Sequence, residues 1–86
     1  MHFVYILILK NKRLYTGSTG DLKRRYKDHQ LGKVRSTRKM NPNLIHYEAY
    51  KLKSDSQRRE KFLKTTEGKK LLKKQIRDVL KKNEVI

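Results

Sequence analysis

An apolar run at residues 3–9 dominates the start of the chain. Both alternating positions of this run are apolar, which is typical of a central strand covered on both faces. Residues 10–13 are polar and predict a turn. Residues 14–18 are apolar and β-prone again, so we expect them to return as the second strand of a hairpin.

A helix is predicted to follow the hairpin, from about Asp21 to Leu31. Aspartate is a common helix N-cap, and Gly32 can end the helix. Residues 32–43 are basic and irregular, which predicts a surface loop. Residues 44–50 are β-prone and predict the third strand.

Two further helices are predicted after the third strand. Ser54 with Gln57 forms a capping box, and the helix that it opens should run to about Lys64. The last helix has its apolar residues at helical spacing, at Leu72, Ile76, Val79 and Leu80. The order β-β-α-β-α-α predicts an α+β fold, with a small three-stranded antiparallel sheet flanked by helices. We also predict a single domain over residues 1–80, followed by a frayed tail over residues 81–86.

The charge of the chain indicates the class of its partner. Its 86 residues include 24 Lys and Arg but 8 Asp and Glu, for a net charge of +16. This excess predicts an anionic partner, nucleic acid first and an anionic membrane second. The absence of cysteine excludes disulfides, zinc–thiolate sites and thiol catalysis. No apolar run is long enough to span a membrane, and the N-terminal run lacks the basic residues and cleavage site of a signal peptide. We therefore expect a cytoplasmic protein.

Residues 14–29 contain side chains suited to phosphodiester chemistry. Tyr15 lies in the second predicted strand, and Gly17 beside it allows a close approach. Arg25 and His29 are four residues apart in the predicted helix, so they share one face. Arginine stabilises anionic phosphate, whereas histidine and tyrosine move protons or orient water.

These residues belong to a larger set that resembles the GIY-YIG nuclease superfamily. The set consists of Val4-Tyr5-Ile6, then Tyr15-Thr16-Gly17 ten residues after Tyr5, and then Arg25, His29 and Glu60. Segments 14–19, 24–26, 47–50 and 59–61 resemble the small stand-alone bacterial branch. The resemblance covers roughly residues 3–72, and the ordered set is more specific than any single piece.

The resemblance implies metal-dependent hydrolysis of phosphodiester bonds. In that family two tyrosines, a helix arginine and a glutamate on the next helix form the site, and the glutamate binds one divalent metal ion. The matching positions in this chain are Tyr5, Tyr15, Arg25 and Glu60, with His29 at a position where the family frequently has histidine.

The chain departs from the family pattern at two places. Phe3 and Val4 stand where the first motif has its glycine and isoleucine, so only the tyrosine of that motif survives. Some members also use an asparagine after the glutamate helix, and Asn83 is too distant to match it. The second departure leaves the outer ligands of the metal ion open.

Glu60 has two interpretations. It can hold Mg²⁺ or Mn²⁺, since magnesium prefers oxygen ligands and keeps several waters. It can also form an ordinary ion pair with Lys64, one helical turn later. Glu48 and Glu67 are exposed alternatives with weaker cases, and no metal is assigned to His2 or His46.

Tyr5 alone reads as a core residue, and the resemblance favours a role in the site. If Tyr5 and Tyr15 share a site, they point to one face of the sheet. The residue numbers of directly paired positions in the hairpin must then add up to an even number. A two-residue turn at 11–12 would give an odd sum. We therefore predict an odd-length loop or a bulge, for example with Leu9 opposite Arg13.

We expect an endonuclease with one Mg²⁺ or Mn²⁺ at Glu60, water activated by Tyr5 or Tyr15, and phosphate charge neutralised by Arg25. The expected partner is nucleic acid, DNA rather than RNA, with no membrane. Cleavage should show low sequence preference, selectivity for a nucleic-acid structure, or direction by a recruiting protein. The residues expected to contact phosphate are Lys23, Arg24, Lys33, Arg35, Arg38 and Lys39. The alternative is a non-catalytic basic nucleic-acid-binding module on the same fold.

Overall fold

Strand β1 (His2–Ile8) is the centre of a three-stranded antiparallel sheet. The computed structural model describes residues 1–83 of the chain. Strands β2 (Leu14–Thr19) and β3 (Asn43–Tyr50) pair with β1 on either side, in the order β2-β1-β3. The residues from Val4 to Ile8 are buried, as predicted for a strand that is covered on both faces.

In the β1–β2 hairpin, the residue numbers of paired positions add up to an even number, as a site shared by Tyr5 and Tyr15 requires. Tyr5 is opposite Gly17, and Leu7 is opposite Tyr15. Side chains alternate between the two faces along a strand. Tyr5 and Tyr15 therefore lie on the same face of the sheet.

The loop of this hairpin has an odd number of residues, as the shared face of Tyr5 and Tyr15 predicted. The N–H of Leu9 donates to the carbonyl of Arg13 over 2.9 Å, which leaves residues 10–12 as the loop. Lys12 has φ 68°, the left-handed conformation that the last residue of such a loop adopts. The prediction of Leu9 opposite Arg13 is confirmed.

Within residues 1–83, four helices accompany the sheet. They are α1 (Leu22–Gln30), α2 (Lys53–Leu63), α3 (Thr66–Gln75) and α4 (Arg77–Lys82), with a 3₁₀ turn at Arg35–Thr37 in the basic loop. Asp21 caps α1 as predicted, because its carboxylate accepts the backbone N–H of Arg24 over 3.1 Å. The predicted α+β architecture is confirmed. No helix within residues 1–83 is long and apolar enough to cross a membrane.

Helix α2 begins earlier than the sequence predicted. Its first residue is Lys53, and its N-cap is Leu52, which contributes no side-chain cap. The backbone N–H of Ser56 donates to the carbonyl of Leu52, so the first turn closes before Ser54 could cap it. The predicted capping box of Ser54 and Gln57 is therefore wrong.

The single last helix of the prediction is divided into α3 and α4. The break is at Ile76, whose φ of −112° and ψ of 27° lie outside the helical region. Leu72, Ile76 and Leu80 are nevertheless all buried in one core. Because the break keeps these side chains on one surface, their spacing could not reveal it.

The predicted frayed tail is only partly described. Helix α4 ends at Lys82, so residues 81 and 82 are helical. Residues 84–86 lie outside the described residues. The single-domain boundary at residue 80 stays a prediction.

The two faces of the sheet have different roles. Val4 and Ile6 point to one face, where they pack with Leu63 and Leu72 in the hydrophobic core. Tyr5 points to the opposite face, where it contacts α1. Alternation along β1 thus lets one strand serve both the core and the candidate site.

A buried carboxylate network joins β3 to α2 and α3. Glu48 accepts hydrogen bonds from Arg59 Nε (2.8 Å), from the Tyr50 hydroxyl (2.7 Å) and from His46 Nε2 (3.0 Å). Arg59 also donates to Gln75 Oε1 over 3.1 Å. The Glu48 side chain is 15% exposed, so the prediction that it is exposed is wrong. Burial alone would raise the pKa of Glu48, but the hydrogen bonds from Arg59, His46 and Tyr50 outweigh burial and hold it at about 2.

We expect Glu48 to make the free energy of unfolding fall in acid. A carboxyl whose pKa is depressed in the folded chain contributes stability that is complete above about pH 4.5 and is lost as the pH falls toward about 2. Glu48→Gln should weaken this acid dependence and lower stability at neutral pH by about 1–3 kcal/mol, because Arg59 loses its charged partner. Urea unfolding at a series of pH values measures both effects.

The matched control is Glu67→Gln. Glu67 is exposed in the first turn of α3 and forms no ion pair within residues 1–83. Its replacement should leave the acid dependence of stability unchanged. An identical acid slope in the wild type and in Glu48→Gln would contradict the role of the Glu48 network.

Candidate active site at the edge of strand β2

Gly17 allows the ring of Tyr5 to cross the backbone of β2. The two residues are directly opposite each other, and β2 is an edge strand. A Cβ atom added to Gly17 would lie 2.5 Å from the hydroxyl oxygen of Tyr5, which is too close for any side chain. Glycine at this position therefore lets a central-strand tyrosine place its hydroxyl over the edge strand of the sheet.

The hydroxyl of Tyr5 meets His29 of α1 in the interior of the protein. Its oxygen is 2.8 Å from Nε2 of His29, and each residue is 1% exposed. On the other side of the imidazole ring, Nδ1 is 2.7 Å from Oγ1 of Thr37, which is fully buried. Side chains from β1, α1 and the 3₁₀ turn thus form one buried chain of hydrogen bonds.

The surroundings of Thr37 favour one of the two tautomers of His29. The carbonyl of Val34 lies 3.5 Å from the Thr37 hydroxyl, and a hydroxyl that donates to it accepts a hydrogen bond from Nδ1–H of His29. Nε2 is then unprotonated and accepts the hydroxyl proton of Tyr5. The arrangement favours a neutral His29 with its proton on Nδ1.

Burial favours the neutral form of both Tyr5 and His29. It lowers the pKa of His29, and the charge of Arg25 lowers that pKa further. Burial also raises the pKa of Tyr5, an effect that the hydrogen bond from Arg25 opposes without cancelling. The pair therefore consists of a phenol and a neutral imidazole at neutral pH.

Arg25 and Tyr15 complete this group of side chains. Arg25 Nε donates to the Tyr5 hydroxyl oxygen over 3.4 Å, and this bond raises the pKa of Arg25 more than burial lowers it. The ring centroid of Tyr15 is 5.1 Å from that of His29 and 6.3 Å from that of Tyr5. Tyr15 and Arg25 are partly exposed, whereas Tyr5 and His29 are buried. Solvent therefore reaches the site through Tyr15 and Arg25.

Glu60 approaches the edge of β2 from the core side of the sheet. Its Oε1 accepts a hydrogen bond from the hydroxyl of Ser18 in β2 over 2.8 Å, and its Oε2 is 3.0 Å from Nζ of Lys64. Ser18 is the residue next to Gly17 in β2, so the Glu60 carboxylate contacts the neighbour of the glycine over which the Tyr5 hydroxyl lies. The structure thus groups all five predicted site residues around this edge, namely Tyr5, Tyr15, Arg25, His29 and Glu60.

Glu60 offers a single carboxylate to a divalent cation, among positively charged neighbours. Its side chain is 22% exposed, at an open polar hollow of about 540 Å³ that is also lined by Ser54, Gln57, Arg58 and Lys61. Within residues 1–83, no three His, Cys, Asp or Glu side chains cluster as a complete metal cage. Magnesium commonly binds one or two carboxylates and keeps several waters, so an ion held by Glu60 alone would take its other ligands from water and substrate. Lys64 would release one carboxylate oxygen at small cost, because it is 58% exposed.

Comparison with known proteins agrees with this arrangement. The sequence profile of the GIY-YIG catalytic domain matches residues 1–75. The chain belongs to the GIY-YIG family. A UPF0213 protein of Clostridium perfringens is 39% identical over 66 residues, which cover 74% of this chain and 71% of that relative. One of Staphylococcus aureus is 38% identical over 73 residues, covering 81% of this chain and 89% of the relative.

A solved structure extends the comparison to three dimensions. The solution NMR structure of a UPF0213 protein from Bacillus halodurans is 36% identical in sequence and has a TM-score of 0.54. The match covers 83% of this chain and 80% of that chain. The resemblance to the small stand-alone bacterial branch of the GIY-YIG nucleases is confirmed.

The residues at which this GIY-YIG protein departs from the family pattern make defined contacts within the fold. Phe3, at the glycine position of the first motif, contacts Tyr47 with a ring-centroid distance of 6.2 Å. Asn83 donates from Nδ2 to the carbonyl of Val79 over 2.7 Å, and its own carbonyl accepts from Lys12. Asn83 is thus engaged at the end of α4.

Two contributors to the GIY-YIG site were missed by the sequence analysis. Thr37 lies in an irregular basic loop, where no periodic pattern distinguishes a buried residue from an exposed one. Ser18 is opposite Val4, so it faces the core side of β2. The predicted register of the hairpin could have identified Ser18 as a neighbour of α2, but nothing in the sequence singled out Thr37.

The six basic residues predicted to contact phosphate are all exposed in the structure. They are Lys23, Arg24, Lys33, Arg35, Arg38 and Lys39. None of them pairs with a carboxylate within residues 1–83. Arg38 Nε donates to the carbonyl of Gly32 over 3.0 Å, which links the middle of the basic loop to its first residue. Their contact with nucleic acid stays a prediction.

We expect Thr37→Val to change the tautomer of His29. Valine keeps the volume of threonine but leaves the buried Nδ1–H without an acceptor, which costs about 1–3 kcal/mol. The proton should then move partly to Nε2, and the hydrogen bond from Tyr5 should weaken. Side-chain ¹H–¹⁵N NMR of His29 at neutral pH reports the tautomer directly.

Thr37→Ser is the control for this substitution, since it restores the hydroxyl and should restore the Nδ1–H tautomer. The wild-type protein is itself informative. A charged His29, or one with its proton on Nε2 at neutral pH, would show that the hydrogen-bond chain runs differently.

Proposed function

We propose that this protein is a divalent-metal-dependent endonuclease that hydrolyses phosphodiester bonds in nucleic acid. The observation that carries the proposal is the grouping of Tyr5, Arg25 and Glu60 around Gly17 at the edge of β2. Membership of a nuclease family and the net charge of +16 support the same function. A strand of nucleic acid lying along this edge would meet every group that the reaction needs.

Glu60 would hold one Mg²⁺ or Mn²⁺ ion, with the hydroxyl of Ser18 orienting the carboxylate. The bound ion supplies Lewis-acid polarisation of the scissile phosphate. Arg25 stays charged beside Tyr5 and would neutralise the charge that develops on the phosphate oxygens. The exposed basic residues would add affinity that is independent of sequence.

The two tyrosines would play different parts. Tyr5 is buried and its hydroxyl is hydrogen-bonded to His29, so it would hold Arg25 in position beside the site. Tyr15 is partly exposed, and it would contact and orient the attacking water. This assignment follows from accessibility, because water can reach the partly exposed Tyr15 but not the buried Tyr5.

The substrate proposed is nucleic acid, with DNA favoured over RNA and with low sequence preference, selectivity for a structure, or direction by a recruiting protein. A cytoplasmic location stays a prediction. One observation favours the second candidate, a non-catalytic nucleic-acid-binding module. The ion pair between Lys64 and Glu60 gives the carboxylate a structural partner that needs no metal.

Glu60→Gln separates the two functions. The amide keeps the shape of the side chain but removes the charge that a hard cation requires, so cleavage should fall by about 10³-fold or more while binding persists. Cleavage of single-stranded, duplex and branched DNA and RNA, with Mg²⁺ and with Mn²⁺, measures the first effect. Affinity in the presence of a chelator measures the second.

The control is Glu67→Gln, which removes an exposed carboxylate from the neighbouring helix and should cleave normally. Tyr15→Phe in the same assay should reduce turnover more than it reduces affinity. Undiminished cleavage by Glu60→Gln would refute its catalytic role. Cleavage by neither the wild type nor any variant, across the whole substrate panel, would favour the binding module.

A further inference from the structure

A second hollow lies on the other side of α1 from the candidate active site. It has a volume of about 550 Å³, and its walls include Phe3 of β1, Leu44 and Tyr47 of β3, and Leu22 and Tyr26 of α1. Arg25 and His29 project from the neighbouring face of the same helix toward Tyr5. Helix α1 therefore separates the two sites on one face of the sheet.

One aromatic side chain of this hollow is exposed, the other two are partly exposed, and each has a contact that holds it in place. Tyr47 is 55% exposed, and its ring contacts the edge of Phe3 at a centroid distance of 6.2 Å and an angle of 66°. The hydroxyl of Tyr26 donates to Asn43 Oδ1 over 3.3 Å, which orients the third ring. Tyr47 is directly opposite Tyr5 in the β1–β3 pairing, so the hollow and the candidate site lie on the same face of the sheet. An apolar hollow with exposed aromatic rings marks a binding surface.

The charge around the hollow selects an anionic ligand. Lys23 forms part of its wall, and Arg24 is exposed next to it. The carboxylate of Asp21, which also lines the hollow, is engaged as the N-cap of α1. A ligand that presents a flat apolar surface beside a negative charge matches this combination. An unpaired nucleotide has both features, since its base stacks on aromatic rings and its phosphate binds lysine and arginine.

We propose that the hollow lined by Phe3, Tyr26 and Tyr47 binds an unpaired base of the substrate strand. The strand would cross the N-terminal end of α1, where Lys23 and Arg24 lie, with a phosphate at Arg25 and a base on Tyr47. A base within a duplex is already stacked on its neighbours and cannot enter. The inference rests on the proposed function, from which it takes nucleic acid as the class of ligand. It adds a preference for single-stranded or locally unpaired nucleic acid.

Binding measurements without metal test this inference separately from cleavage. The protein is the full chain carrying Glu60→Gln, with a chelator at low salt. The probes are fluorescein-labelled oligothymidylate of about 12 nucleotides, an abasic strand with the same phosphates, oligouridylate, and a duplex of the same length. Fluorescence anisotropy gives each affinity with Tyr47 intact, with Tyr47→Leu and with Tyr47→Phe.

Oligothymidylate should bind more tightly than the abasic strand, and Tyr47→Leu should weaken it by roughly tenfold. The same substitution should leave the abasic strand and the duplex unchanged, because neither offers an unpaired base. Tyr47→Phe keeps an aromatic face and should bind like the parent. A parallel loss with oligouridylate would mean that ribose strands use the same hollow, and a loss confined to oligothymidylate would assign it to DNA.

Two outcomes would overturn the inference. If Tyr47→Leu weakens the base-bearing and abasic strands equally, or weakens neither, the hollow does not bind bases, while the proposed nuclease function stands. If no probe binds even the parent protein at low salt, the nucleic-acid ligand of the proposed function itself fails. Circular dichroism of each variant excludes unfolding as the cause, and the exposed position of Tyr47 makes unfolding unexpected.

Discussion

The hydrogen bond between Tyr5 and His29 is the interaction on which the candidate site depends. It joins the central strand to α1 in the interior, and both of its members are almost fully buried. A buried polar group without a partner is costly, so three positions are constrained together. Gly17 must lack a Cβ, burial favours a neutral His29, and Thr37 is the partner of the second ring nitrogen. Arg25 then binds the same hydroxyl from the exposed side.

The rest of the fold supports this bond by dividing the sheet into two faces. Val4 and Ile6 anchor one face in the core, with the help of side chains from α2, α3 and α4. The other face is only partly covered by α1, which leaves room for Tyr15 on one side and Tyr47 on the other. Glu60 belongs to the core side and reaches the candidate site only because β2 is an edge strand. The Glu60 carboxylate and the Tyr5 hydroxyl thus reach adjacent residues of β2, Ser18 and Gly17, from opposite faces of the sheet.

Much of this arrangement was predictable because short-range rules dominate it. Three local properties are retained in the structure. They are the apolar run of residues 3–9, the shared sheet face of Tyr5 and Tyr15, and the N-cap at Asp21. The break at Ile76 was hidden because Leu72, Ile76 and Leu80 lie on one surface with or without it.

Tertiary partners decided the remaining features. Glu48 reads as an exposed acid until Arg59 and Gln75 approach it from other elements. Thr37 acquires its role only when the basic loop folds against His29. Such contacts join residues that no sequence period relates, so pattern analysis could not identify them.

The most direct test of this account asks where a divalent cation binds. Substoichiometric Mn²⁺ added to the ¹⁵N-labelled protein broadens the amide signals nearest to the ion. The account predicts that broadening is strongest around Glu60 and the neighbouring residues of β2, Ser18 among them, and that Glu60→Gln abolishes it. Broadening centred on Glu48 or Asp55, or persistent broadening in Glu60→Gln, would contradict the assignment of the metal site to the edge of β2.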